Sequence, residues 1–183
     1  MDDADLDAFT RPAFSRGNRL RRLVWQLAWL LLARWTPVPL HAWRSVLLRC
    51  FGARIGAGVH VYGRARVWAP WLLEMADESC LANDVDCYNQ ALIRIGRRAI
   101  VSQRAFLCAG THDYRDPAHP LVAAPITIGE QAWVCAQAIV GPGVTIGAGC
   151  VIGAGAVAMQ SQPEWMVCAG NPCVPLKPRT WRA

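Results

Sequence analysis

Ile128-Gly129-Glu130-Gln131-Ala132-Trp133 opens a run that continues through Val134, Val140 and Ile146 to Ile152-Gly153-Ala154-Gly155-Ala156-Val157. An aliphatic residue recurs at steps of six, and a small side chain follows each four positions later: Ala132, Ala138, Val144, Cys150, Ala156. A six-residue period matches neither the 3.6 of a helix nor the 2 of an isolated strand, so the repeating unit is a coil rather than a single element. Three short strands and three corners make one turn of a triangular prism. Stacked coils then pair as parallel strands about 4.8 Å apart. Gly129, Gly147 and Gly153 directly follow the aliphatic residue and are expected to supply the φ > 0 geometry of the corners.

Read outward in both directions, the period persists. Ile55-Gly56-Ala57-Gly58-Val59-His60 opens the first coil, followed by Val61 and Val67. The phase slips by two residues around Trp71-Leu72-Leu73-Glu74, resumes at Met75, Leu81 and Cys87, slips again in Tyr88-Asn89-Gln90-Ala91-Leu92-Ile93, and resumes at Ile95, Val101 and Leu107. Residues 111–125 read as a loop protruding from the wall, and Pro163 as the end of the prism, leaving 163–183 as a tail. Residues 1–18 are polar and are expected to be flexible. Residues 19–51 read as a helical hairpin broken at Pro37 and Pro39, with Trp43, Val46, Leu47 and Leu48 on one side of its second helix. The apolar core of the first helix is short of the roughly 20 residues needed to span a bilayer. The hairpin either caps an open end of the prism or forms an interfacial membrane foot.

Composition narrows the partners. With 183 residues the chain is one repeat domain plus an appendage. The net charge of +6 is concentrated in the N-terminal part, which suits an anionic membrane surface or a phosphate-rich cofactor better than nucleic acid. Eight cysteines without a C-x-x-C pair read as reduced core thiols of a cytosolic protein, not as a disulfide framework or a zinc site. The acidic start Met-Asp-Asp-Ala-Asp is unlike a secretory leader.

The hexads from Ile128 to Val157 resemble those of the hexapeptide-repeat acyltransferases, whose prism is a left-handed parallel β-helix. The expected fold is therefore an all-β repeat of that kind with an N-terminal helical hairpin, its handedness resting on the resemblance alone, since parallel crossovers are otherwise right-handed. The hairpin, Phe51-Gly52-Ala53-Arg54-Ile55-Gly56 and Thr111-His112-Asp113-Tyr114 are similar to the branch assigned to colanic acid and other exopolysaccharide biosynthesis. Ala169-Gly170-Asn171-Pro172 resembles the family's usual ending.

Histidine as a residue type can take a proton from a hydroxyl near neutral pH. The plainer reading of His112 is a loop histidine bonded to a carbonyl. By resemblance, His112 matches the base that activates an acceptor hydroxyl for direct attack on acetyl-CoA, with no acyl-enzyme. Tyr88 and Asn89 match the place where sugar-modifying relatives carry Asp-Asn. Asn89 either binds a sugar hydroxyl or serves a tight left-handed turn, and Asp113 either orients the imidazole or binds the acceptor. Trp133, Ala136, Gly153 and Ala154 match positions lining the pantetheine arm, although coil packing also demands small residues there. Relatives commonly close the last coil with Val-Thr-Lys-Asp where this chain has Ala158-Met159-Gln160-Ser161, which leaves Lys177 and Arg179 as candidate phosphate partners. His60 and His119 read as structural. Four histidines without an H-x4-H pair supply a three-histidine metal site of the γ-carbonic anhydrase kind poorly, so no metal is expected.

The resemblance implies a homotrimeric O-acetyltransferase acting on a sugar or lipid-linked sugar, with His112 of one chain facing the CoA-lining residues of the next. The basic, Trp-rich hairpin adds, from its composition, the expectation of peripheral contact with the inner membrane face. Two readings compete with it: a catalytically idle β-helix scaffold, favoured by Met159 and Gln160, and an acetyltransferase for an antibiotic or other small molecule.

Overall fold

The structure is a computed structural model and describes residues 14–181. Ile128, Val134, Val140, Ile146 and Ile152 are at most 1 % exposed, and burying each contributes about 1.5–3 kcal/mol. The small residues between them are buried as well, filling the interior behind the corners. The first coil is β1 (Arg54–Ile55), β2 (His60–Val61) and β3 (Arg66–Val67). The second is β4 (Leu73–Met75), β5 (Cys80–Leu81) and β6 (Asp86–Tyr88), and the third is β7 (Ile93–Ile95), β8 (Ile100–Val101) and β9 (Phe106–Cys108). After a hairpin of β10 (Gly110–His112) and β11 (Leu121–Ala123), the prism resumes with β12 (Ile126–Ile128), β13 (Trp133–Val134) and β14 (Ile139–Val140). A fifth coil follows in β15 (Thr145–Ile146), β16 (Val151–Ile152) and β17 (Val157–Ala158).

Three parallel walls result: β1-β4-β7-β12-β15, β2-β5-β8-β13-β16, extended by β18 (Met166–Ala169), and β3-β6-β9-β14-β17. We call them walls one, two and three in chain order. The two-residue slips are visible in the register. Arg54 pairs with Glu74 in the early coils, whereas Thr127 pairs with Thr145 in the later ones, so a coil shortens from twenty residues to eighteen. The extra residues form a 3₁₀ turn at Pro70–Leu72 and a bulge around Asn89–Leu92. Both lie where wall three passes to wall one, and the hairpin leaves the prism at that same corner. All three insertions are thus stacked on one edge.

Several sequence expectations are corrected. Residues 111–125 are not a plain loop, because β10 and β11 pair antiparallel, Thr111 opposite Val122 and His112 opposite Leu121. The prism does not stop at Pro163. Gln162 bridges to Ile146, β18 (Met166–Ala169) extends wall two, and β19 (Val174–Pro178) folds back antiparallel on it. Gly129, Gly147 and Gly153 do not take the positive φ. The corners are turned two positions later, at Gln131, Gln137, Gly143, Gly149 and Gly155, with φ between +56° and +76°. Gly129 is needed for space: a Cβ there would lie 2.5 Å from the backbone nitrogen of Ala148 in the next coil.

The first helix, α1 (Arg16–Leu32), begins earlier than expected because Ser15 caps it, accepting from the Asn18 amide at 3.2 Å. The rest of the polar start, residues 1–13, lies outside the described residues. Trp25 and Trp29 are buried against the prism and donate from Nε1 to the carbonyls of Val67 (2.7 Å) and Gly63 (3.1 Å). On α2 (His41–Cys50), Leu47 and Leu48 are buried but Trp43 and Val46 are not, so the expected single apolar side is divided. Arg44 is fully buried and donates to the carbonyls of Thr36, Pro37, Val38 and Val61, which straps the inter-helix turn to the first coil. No helix among the described residues is long and apolar enough to cross a membrane.

Candidate active site

The edge between walls three and one gathers four of the residues singled out above, Tyr88, Asn89, His112 and Asp113. His112 ends β10 with its ring exposed, and its Nδ1 lies 2.5 Å from the carbonyl oxygen of His119. A carbonyl can only accept, so Nδ1 carries the proton and Nε2 keeps a free lone pair. Asp113 does not orient this ring. Its Oδ1 accepts from the backbone amide of Arg115 (3.0 Å) and from the Arg115 guanidinium (3.2 Å), and these bonds hold its carboxyl below the usual carboxylate range.

Asn89 is corrected from acceptor ligand to scaffold. It is fully buried; its Oδ1 accepts from the Ala69 amide at 3.0 Å and its Nδ2 donates to the carbonyls of Ala69 (2.6 Å) and Leu72 (2.9 Å). The side chain therefore locks the 3₁₀ turn of the preceding coil, with both Nδ2 protons used and Oδ1 shut away from a sugar by burial. Tyr88 is half-buried on β6 and its hydroxyl accepts from Gln90 Nε2 at 2.6 Å.

The sequence reading missed Gln90. Its Oε1 is buried with no hydrogen-bond partner, and it presses on Gly110 so closely that a Cβ there would lie 1.9 Å away. Gln90 thus links the Tyr88 ring to the strand carrying His112. The only sequence signal was its place in the second phase slip. Also missed was the cavity of about 420 Å³ between α1 and wall three, whose lining includes Trp29, Arg34, Arg66, Trp68, Asp86 and Tyr88. Trp68 meets Tyr88 edge-on at 6.0 Å, and Arg66 pairs with Asp86 across one coil step. Cys108, beside Gly110 and bonded to its carbonyl, has its thiol pushed up by burial and is a poor nucleophile.

The residues proposed for a pantetheine arm lie elsewhere. Trp133 is 43 % exposed on wall two, with its Nε1 donating to Ser102 Oγ at 2.8 Å. Ala136, Gly153 and Ala154 form the corner from wall two to wall three, where the Gly155 amide donates to the Ala136 carbonyl at 3.0 Å. One chain therefore does not bring His112 together with this set. Lys177 is exposed on β19 opposite Val167. Arg179 buttresses the prism: its Nη1 donates to the carbonyls of Gln131 (2.8 Å) and Gly149 (2.9 Å), at the corner from wall one to wall two, which leaves only Nη2 and Nε to meet a phosphate. Among the described residues no group of three His, Cys, Asp or Glu side chains can hold a metal ion.

Residues 125–157 match the family model described as bacterial transferase hexapeptide (six repeats). Over 176 residues the chain is 38 % identical to a protein of Escherichia coli (strain K12) provisionally named colanic acid biosynthesis acetyltransferase WcaF, covering 96 % of this chain and 97 % of that one. The chain belongs to the hexapeptide-repeat acetyltransferase family. Solved structures agree on the fold. A hexapeptide-repeat acetyltransferase of Vibrio cholerae O1 biovar eltor, complexed with acetyl coenzyme A, superposes with a TM-score of 0.83 at 21 % identity, covering 98 % of this chain and all of that one. A maltose O-acetyltransferase of Clostridium difficile 630 gives 0.76 at 21 % identity, covering 91 % and 90 %. A galactoside acetyltransferase in complex with coenzyme A gives 0.77 at 20 % identity, covering 91 % and 84 %.

Proposed function

We propose that this acetyltransferase moves the acetyl group of acetyl-CoA directly to a hydroxyl of a sugar, with His112 as general base. The observation that carries this reading is the 2.5 Å contact between His112 Nδ1 and the His119 carbonyl, which leaves Nε2 as the acceptor of a proton on an exposed ring. Nε2 takes the proton of the acceptor hydroxyl as its oxygen attacks the thioester carbonyl. The tetrahedral oxyanion collapses, the C–S bond breaks, and the leaving thiolate takes the proton from the imidazolium. No acyl-enzyme forms.

The separation of His112 from Trp133, Ala136, Gly153 and Ala154 supports a homotrimer in which the catalytic edge of one prism faces the CoA-lining wall of the next. Lys177, exposed near that wall, is the phosphate partner on this reading. The aromatic cavity beside Tyr88 suits a sugar ring, since Trp and Tyr present flat apolar faces with a polar edge, and Arg34 and the Arg66–Asp86 pair at its lining offer polar partners to sugar hydroxyls. The kinship with WcaF and the likeness to maltose and galactoside acetyltransferases support a saccharide acceptor in exopolysaccharide assembly. Such an acceptor, built on a lipid carrier, places the enzyme in the cytoplasm at the inner leaflet.

The test is titration of the purified protein with acetyl-CoA together with release of free thiol in the presence of sugars. The expected result is micromolar binding, about −8 kcal/mol, unchanged in His112→Ala, with transfer lost only in the variant. Absence of binding by folded protein would favour a scaffold, for which Met159 and Gln160, the latter in place of the usual lysine, speak. Transfer confined to antibiotics would replace the sugar.

A further inference from the structure

The stretch from Phe14 to Leu73 contains ten arginines and not one Asp or Glu. Three of them, Arg54, Arg64 and Arg66, pair with carboxylates of the next coil. Arg21 and Arg22 stack on Trp71 (3.9 Å) and Trp68 (4.3 Å), and Arg44 and Arg49 are spent on carbonyls. Arg16 and Arg19 have no carboxylate partner among the described residues, and both sit in the first turn of α1, where the helix dipole already presents positive charge. Nothing within the chain's described residues offsets that placement.

The same helix is apolar on two opposite sides. One side, Trp25 and Trp29, packs on the prism. The other, Leu20, Leu23, Val24, Leu27 and Leu31, spaced at three and four residues, is 49 to 73 % exposed. Its C-terminal end runs into Trp35, 77 % exposed, and Trp43, 42 % exposed, whose indole donates to the Leu32 carbonyl at 2.7 Å and so ties α2 to the end of α1. An uncovered aliphatic stripe with arginines at one end, tryptophans at the other and no acidic residue along it is the complement of one surface, an anionic lipid leaflet. There, aliphatic side chains enter the acyl boundary, indoles sit at headgroup depth and guanidinium groups meet phosphates. At 17 residues α1 is about 25 Å long, suited to lie along the interface and not to cross it.

We infer that the outward face of α1, continued by Trp35 and Trp43, docks the enzyme flat on an anionic membrane surface, which holds the prism beside acceptors carried on lipid. The inference takes its purpose from the proposed lipid-linked acceptor, but its test is independent of transfer.

The experiment is co-sedimentation of the full chain with vesicles of phosphatidylglycerol and phosphatidylcholine, against phosphatidylcholine alone, over a salt series. Binding is expected to anionic vesicles and to weaken as salt rises. Leu23→Gln/Leu27→Gln/Leu31→Gln changes only exposed side chains outside the cavity, so it is expected to keep the unfolding midpoint and turnover with a water-soluble acceptor while losing at least about 10-fold in partitioning. Arg16→Gln/Arg19→Gln is expected to lose about 10-fold on anionic vesicles alone. Failure of the wild type to bind anionic vesicles, or equal binding by the leucine variant, overturns the inference. So does a leucine variant whose oligomer mass falls at sedimentation equilibrium, since the stripe would then join copies of this chain. Loss of vesicle binding with soluble-acceptor turnover intact supports docking, while absence of turnover in all proteins, with vesicle binding as expected, counts against the proposed reaction only.

Discussion

His112 is held by the backbone of His119, not by a neighbouring side chain: Nδ1 meets the His119 carbonyl at 2.5 Å, and His119 itself is left-handed at φ +44°. The hairpin β10–β11 therefore selects the tautomer through its turn. His112→Ala is expected to lower kcat by about 10²–10⁴-fold, with the KM for acetyl-CoA and the unfolding midpoint little changed, because the ring is exposed. Of two replacements that both remove the His119 ring, His119→Gly keeps the left-handed turn and is expected to retain more turnover than His119→Val, whose branched Cβ disfavours it. Equal rates in steady-state assays would count against backbone selection.

Asn89 separates scaffold from ligand. Asn89→Ala strips three hydrogen bonds from the 3₁₀ turn at Ala69–Leu72 and is expected to cost about 2–4 kcal/mol in denaturant unfolding. An unchanged stability with a raised acceptor KM would restore it as an acceptor ligand.

The two kinds of glycine predict two sizes of effect. Gly129→Ala forces a Cβ to 2.5 Å from the Ala148 nitrogen and is expected to cost about 2–3 kcal/mol. Gly155→Ala meets no atom within 4 Å but keeps a left-handed φ of +68°, at about 1–2 kcal/mol. The comparison is made by thermal or denaturant unfolding of the two variants side by side.

On the tail, Lys177→Ala is expected to weaken CoA binding about 3- to 10-fold, and less so at high salt, by calorimetry. Arg179→Ala is expected instead to lower stability with CoA affinity kept, because its guanidinium serves Gln131 and Gly149.

His41 gives a pH signature. It stacks on His60 at 4.6 Å, and burial, then the charges of His60 and Arg44, push its pKa below the usual 6.5, partly offset by its bond to the Val61 carbonyl. The folded protein therefore binds this proton less readily than the unfolded chain. Stability is complete above pH 6.5 and falls as pH drops toward the folded value. His41→Gln is expected to show a shallower loss of unfolding midpoint between pH 7 and pH 5.

The period of six between Ile128 and Ile152 determined the prism, its inward residues and the two places where the phase slips, because a repeat that buries one side chain per hexad admits few other structures. It also marked residues 111–125 as an interruption, within which the family resemblance singled out His112 as the candidate base. Other features depended on contacts between residues far apart in the chain. That Asn89 faces Ala69 and Leu72, that Arg179 reaches Gln131 and Gly149, and that Gln90 sits over Gly110 depend on which coil lies above which, and a local pattern does not carry that register. The roles of the glycines were likewise decided by the distance from one coil to the next. The tertiary structure alone shows that both slips and the hairpin share one edge, where they bring Tyr88, Gln90 and His112 onto one candidate site, and that the apolar residues of α1 divide between the prism and an uncovered outer face. Hydrophobicity says that a side chain avoids water; only the packing of the whole chain says which ones found cover.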